Sequence, residues 1–135
     1  AWSRQLVVMR AVLPTVQRKI DELPTAYGLC MQADGTLAVV CSYSRPRSHV
    51  RFVAFDGTVS TLMHPHAAGE MRKFAWAQQI LHFDGAILVS DLHGIHKIGT
   101  DGTELASYLH PDADPDECWP SMAIHQPNGV VFATA

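Results

Sequence analysis

The run Phe83-Asp84-Gly85-Ala86-Ile87-Leu88-Val89-Ser90-Asp91-Leu92-His93-Gly94-Ile95-His96-Lys97-Ile98-Gly99-Thr100-Asp101-Gly102-Thr103-Glu104-Leu105-Ala106-Ser107-Tyr108 decides how the chain is read. Asp-Gly turns alternate with short apolar or alternating runs. An Asp-Gly pair between apolar runs marks a hairpin, because the turn needs positive φ and glycine supplies it at little steric cost. The stretch therefore spells turn, strand, turn, strand, turn, strand, a small antiparallel meander.

Working outward, the same grammar recurs. Tyr27 to Gly35, Ala77 to Gly85 and Ser121 to Gly129 each lead into an apolar run: Leu37–Cys41, Ala86–Val89 and Val130–Ala133. The turn glycines fall at 35, 85 and 129, steps of 50 and 44 residues. A second series, Asp56-Gly57-Thr58 and Asp101-Gly102-Thr103, repeats after 45. A period of this length signals a repeat architecture. Each unit holds about four strands; in the first they are expected at Tyr27–Gln32, Leu37–Tyr43, His49–Ala54 and Val59–Met63, with Ser44-Arg45-Pro46-Arg47-Ser48 lengthening one loop. The second strand of each unit is apolar at successive positions, the pattern of a strand covered on both faces. Radial stacking of four-stranded antiparallel blades provides that cover, so the expected fold class is all-β, a β-propeller. Leu6–Met9 and Val16–Ile20 fit the outer strands of a preceding blade. A helix over Val16–Leu23 is the alternative there, and Ala67–Ala77, with Gly69 against it, is the other helix candidate.

The 135 residues suffice for one folded unit with a core. Nearly half are apolar, at 47%, which sets the chain apart from disordered sequences. The net charge of −3 argues against a general nucleic-acid binder, whose affinity comes from a basic surface. No apolar run reaches the ~20 residues of a membrane span, and the opening Ala1-Trp2-Ser3-Arg4 does not read as a signal peptide. Cys30, Cys41 and Cys118 are odd in number and form no C-x-x-C pair. They read as buried thiols and lean towards a reducing, cytoplasmic compartment.

These turns and apolar positions resemble the repeats of NHL and SMP-30/gluconolactonase-like six-bladed β-propellers. Pro120 to Ala133 is the nearest match, followed by Leu88 to Ile98. On this resemblance the chain divides into outer strands of one blade (1–23), two blades (24–72 and 73–118) and the start of another (119–135). Because propellers typically need four to eight blades, the rest of the ring would come from a longer chain, the preferred reading, or from another copy. A lactonase-type member would hold a divalent metal such as calcium on acidic or amide residues at the strand starts. The matching positions are Tyr27, Ala77 and Ser121, none of them a good hard-metal ligand.

Other candidates are weighed residue by residue. Asp91 ends a second strand and either caps the next turn or faces the channel. His93 and His96 flank that turn, and with Tyr27 and Ser121 they are the expected channel or loop contacts. Arg45, Arg47 and Arg51, beside His49, form a small basic patch that would suit an anion. Asp112 to Glu117 fails the calcium-loop pattern, since the sixth position is Glu117 and the twelfth Ala123. His64-Pro65-His66 lacks a third ligand, and no nucleophile motif occurs. The expected function is a binding or scaffold module that engages a protein or carbohydrate through its loops and channel mouth. A metal-dependent hydrolase of the gluconolactonase kind is the alternative, and a small lectin assembled from several short chains is a third reading.

Overall fold

A computed structural model describes residues 6–9, 16–20, 25–44, 47–109, 122–125 and 127–133. In chain order the strands are β1 (Leu6–Met9), β2 (Val16–Ile20), β3 (Thr25–Met31), β4 (Leu37–Ser44), β5 (Arg47–Val53), β6 (Val59–Thr61) and β7 (Phe74–Ala75). They continue with β8 (Gln79–Phe83), β9 (Ala86–Asp91), β10 (Gly94–Ile98), β11 (Glu104–Leu109), β12 (Met122–His125) and β13 (Val130–Ala133). Every described element is a strand and every pairing is antiparallel. Strands β3-β4-β5-β6 form one sheet, with β7 added beside β5, and β8-β9-β10-β11 form a second. Two-stranded sheets, β1-β2 and β12-β13, complete the set. No described helix is long and apolar enough to cross a membrane.

The turns explain the repeat. Asp34, Asp56 and Asp101 each accept, through Oδ1, the backbone N–H two residues on, from Thr36, Thr58 and Thr103, all at 2.9 Å. Asn128 does the same for Val130 at 3.0 Å. This local bond preforms the turn, and so the Asp-Gly-Thr spelling recurs. Asp84-Gly85 is built differently. Both residues have positive φ, 50° and 75°, the signature of a two-residue type I′ hairpin.

Register assigns the core. In the first sheet Ala38 and Val40 of β4 and Val50 of β5 share one face. They are fully buried, packed with Ile80, Ile87, Val89 and Ile98 of the second sheet. The opposite face of β9 carries Leu88, which packs with Ile95, Leu81 and Met122 of β12. The second sheet is thus covered on both sides, and all six residues of β9 are buried, Ser90 and Asp91 included. Burying a Val or Ile side chain stabilises by about 1.5–3 kcal/mol, so this shared layer carries much of the fold.

Val16–Ile20 is a strand as expected, both helix alternatives fall away, and two expectations change. The Val16–Leu23 helix alternative gives way to β2, and the Ala67–Ala77 helix candidate to a turned segment followed by β7. In that segment Met63 bridges Met71, and His64 N–H donates to the Glu70 carbonyl at 2.7 Å. Gly69 there sits at φ +79°, which a helix cannot use. The long loop around Arg47 is instead strand: β4 runs to Ser44, which pairs with Arg47, and the Ser42 hydroxyl donates to the Arg47 carbonyl at 2.9 Å. Finally, β13 is not buried on both faces. Val130 and Val131, successive residues that point to opposite faces, stay 46% and 37% exposed.

Candidate functional site

Strand direction places the candidate residues. The starts of β3, β8 and β10 and the end of β9 lie at one end of the sheets, opposite the Asp-Gly turns. The first strands come close there. A Cβ on Gly28 of β3 would lie 2.9 Å from the Gln78 carbonyl just before β8, so only glycine permits this approach. On the other side of β8, the Gln79 side chain pairs with the backbone of Met122. Its Nε2 donates to the Met122 carbonyl and its Oε1 accepts the Met122 N–H, both at 2.8 Å. A side-chain amide here imitates a strand neighbour and ties the second sheet to β12. Ser48, buried on β5, accepts the Ala77 N–H at 2.8 Å and ties the first sheet to the second.

Asp91 is the centre of a polar cluster between these sheets. Its Oδ1 accepts the N–H of His93 at 2.8 Å and of Gly94 at 3.2 Å, which closes the β9–β10 turn. Its Oδ2 accepts the Ala75 N–H of β7 at 3.1 Å. The His96 ring on β10 completes the set: Nε2 lies 3.0 Å from Asp91 Oδ1, and Nδ1 lies 2.6 Å from Glu104 Oε1 on β11. Arg72 approaches Glu104 Oε2 at 3.9 Å from the connecting segment. Phe74 lines the ring, with centroids 6.1 Å apart.

The electrostatics follow from these contacts. Burial alone would raise the Asp91 carboxyl, but the hydrogen bond and charge of His96, with the N–H groups of His93 and Ala75, hold it below its ordinary value. The bond to Asp91 raises His96, opposed by burial and assisted by Glu104. With an acceptor at each ring nitrogen, His96 has neither nitrogen open towards a substrate. The cluster resembles the acid–imidazole half of a nucleophile-activating set, yet its geometry is that of a fastening. Among the described residues no group of three or more His, Cys, Asp or Glu side chains could hold a metal ion.

Trp76 stands beside this cluster with φ 52°, an uncommon conformation for a bulky residue. The flanking backbone holds it there: Ala75 gives its N–H to Asp91 and receives the Leu92 N–H on its carbonyl at 2.9 Å. Fixed strain of this kind persists only where neighbours over-determine it.

Of the other sequence candidates, Tyr27 is 43% exposed, and Arg47 and His93 are also exposed at the same end. Arg51 lies mid-strand and half-buried, near His49 and Cys41. Burial, seconded by Arg51, pushes His49 down to about 4. Burial pushes the Cys30 and Cys41 thiols up to about 11, so neither is a ready nucleophile. Ser121 and Arg45 lie outside the described residues, as do Cys118 and the 112–117 acidic run. Sequence reasoning missed Gln79, Ser48, Glu104 and Arg72. Only Glu104 carried a signal, its place opening the strand after the second Asp-Gly-Thr turn.

Comparison with protein-family models and with curated protein sequences finds no match to this chain.

Proposed function

We propose that the five-stranded sheet of β3–β7 and the four-stranded sheet of β8–β11 are blades of a β-propeller, part of a six-bladed ring of the NHL or SMP-30-like kind, and that the ring is a binding or scaffold module for a protein or carbohydrate partner. The observation that carries this reading is the sharing of one end. Tyr27, Arg47 and His93 lie exposed at the end where the first strands β3, β8 and β12 come together. In a ring of stacked blades, that end is a channel mouth. An exposed aromatic with a cation and an imidazole suits the stacking and hydrogen bonding by which sugars and peptides are held.

The stacking is supported by the double cover of the second sheet and by the close passage of Gly28 against Gln78. The hydrolase alternative finds Tyr27 and Ala77 where its metal ligands belong, and so needs ligands from other blades.

The deciding experiment joins a glycan array and a peptide array with the protein, its Tyr27→Ala variant, and a lactone-hydrolysis assay with and without calcium. Ligand binding that drops at least tenfold in the Tyr27→Ala variant supports the module. Calcium-dependent lactone hydrolysis that a chelator abolishes replaces it with the hydrolase. No ligand on either array, with no hydrolysis, ends the reading.

A further inference from the structure

His96 is held in a way that only one protonation state satisfies. Its two ring nitrogens point to two carboxylates, Asp91 on β9 at 3.0 Å and Glu104 on β11 at 2.6 Å. A carboxylate accepts only, so both contacts are hydrogen bonds when both nitrogens bear protons. A neutral imidazole has a single N–H. One carboxylate must then face a nitrogen lone pair.

The surroundings decide which one. Asp91 is 3% exposed at its side chain and is also fixed by the N–H groups of Ala75, His93 and Gly94. Glu104 is 38% exposed and can turn to water. The proton therefore stays on Nε2, towards Asp91, and leaves from Nδ1 to solvent. Glu104 opens β11 and pairs with Ile98 across an irregular register step between Lys97 and Ile98. All six residues of β11 are exposed, and among the described residues this strand is an edge of its sheet.

We propose that Asp91, His96 and Glu104 form a proton-operated latch that fastens the edge strand β11 to its sheet and releases it as the pH rises. The groups facing the His96 ring are Asp91 from β9, Glu104 from β11 and the apolar ring of Phe74 from β7. Arg72, from the segment between β6 and β7, lies 3.9 Å from the far oxygen of Glu104.

The sign follows from the direction of the shift. His96 sits above its ordinary value of 6.5 in the folded protein. Its contribution is complete below 6.5 and is lost as pH rises through the folded value. Asp91 sets the acid limit. Its folded value lies below 3.8, so its contribution is complete above 3.8 and lost as pH falls through the folded value.

The test is a pair of NMR measurements across the His96 titration, on the protein and on its Glu104→Gln variant. Ring nitrogen shifts report the tautomer, and amide-exchange protection factors report strand opening. A glutamine side chain can accept from Nδ1–H or donate to the bare Nδ1, so the variant suits both states. Expected are a neutral His96 with its proton on Nε2 and a fall in β11 protection of about two- to fivefold, the size of a partly exposed charged pair. That fall should be confined to residues 104–109 and the β10 amides that bond to them, and absent from Glu104→Gln. Equal pH dependence in the two proteins, a neutral ring protonated at Nδ1, or a fall spread evenly over β8 to β11 would each overturn the latch.

Discussion

His49 offers the sharpest test of how this fold treats charge. The side chain lies on β5, opposite Cys41, and is 3% exposed. Burial first, and the nearby Arg51 second, push it from an ordinary 6.5 to about 4. The folded protein thus holds a neutral ring at a pH where the unfolded chain takes up a proton. For a folded value below the unfolded one, the stability is present above 6.5 and is lost as pH falls towards 4. At about 1.4 kcal/mol per tenfold change in proton affinity, the penalty is about 2 kcal/mol at pH 5 and approaches ~3 kcal/mol below pH 4. Urea unfolding at pH 7 and pH 5 measures it, with His49→Gln as the reference that does not titrate. The wild-type protein should lose about 2 kcal/mol more than the variant between these two conditions, whatever the variant costs at pH 7. His96 and the carboxylates are common to both proteins, so their titrations cancel in the comparison. Equal losses in the two proteins would show that His49 is solvated or protonated in the native state, and the burial argument would fail.

Three other substitutions probe the joins between sheets and between neighbouring strands. Ser48→Ala removes the acceptor of the buried Ala77 N–H and should cost ~1–3 kcal/mol in chemical unfolding, with β8 losing exchange protection first. Gln79→Leu keeps the bulk of the side chain but strips Met122 of a donor and an acceptor. The loss is expected at ~1–3 kcal/mol, with faster exchange of the Met122 amide as its local mark. Gly94→Ala drives a Cβ into the Tyr108 carbonyl and should abolish β10–β11 pairing, visible as lost cross-strand NMR contacts.

The strands and most turns were legible because their signals are local. Asp34, Asp56 and Asp101 bond to backbone two residues away, so the spelling alone carries the geometry. Continuous apolarity marked β4 and β9 as covered on both faces, and the core residues confirm it for both. At β13 continuous apolarity comes without that cover, since apolarity states what a strand needs and not what lies over it. Arg47 was misplaced for a related reason. Pro46 and two arginines look like a loop, yet strands β4 and β5 extend to Ser44 and Arg47 because the backbone pairs there regardless of side-chain polarity.

The joins were illegible because they link residues that are distant in sequence. Gln79 meets Met122 across 43 positions, and Ser48 meets Ala77 across 29. Nothing near either serine or glutamine distinguishes it from a surface polar residue. Asp91 shows where the boundary falls. Its position after an apolar run foretold a turn cap, and the bonds to His93 and Gly94 are of that local kind. The bond to His96 also lies within the β9–β10 hairpin, whereas the bond to Ala75 depends on the segment from Leu62 to Ala77 folding back over the sheet, a matter of tertiary packing. One carboxylate therefore closes a hairpin, anchors the preceding connection and polarises an imidazole. Removing it would leave the Ala75 N–H without that acceptor and His96 without its buried counter-charge at once. The effects of Asp91→Ala and His96→Ala should accordingly fall short of additivity in a double-mutant cycle, by the energy of the bond they share.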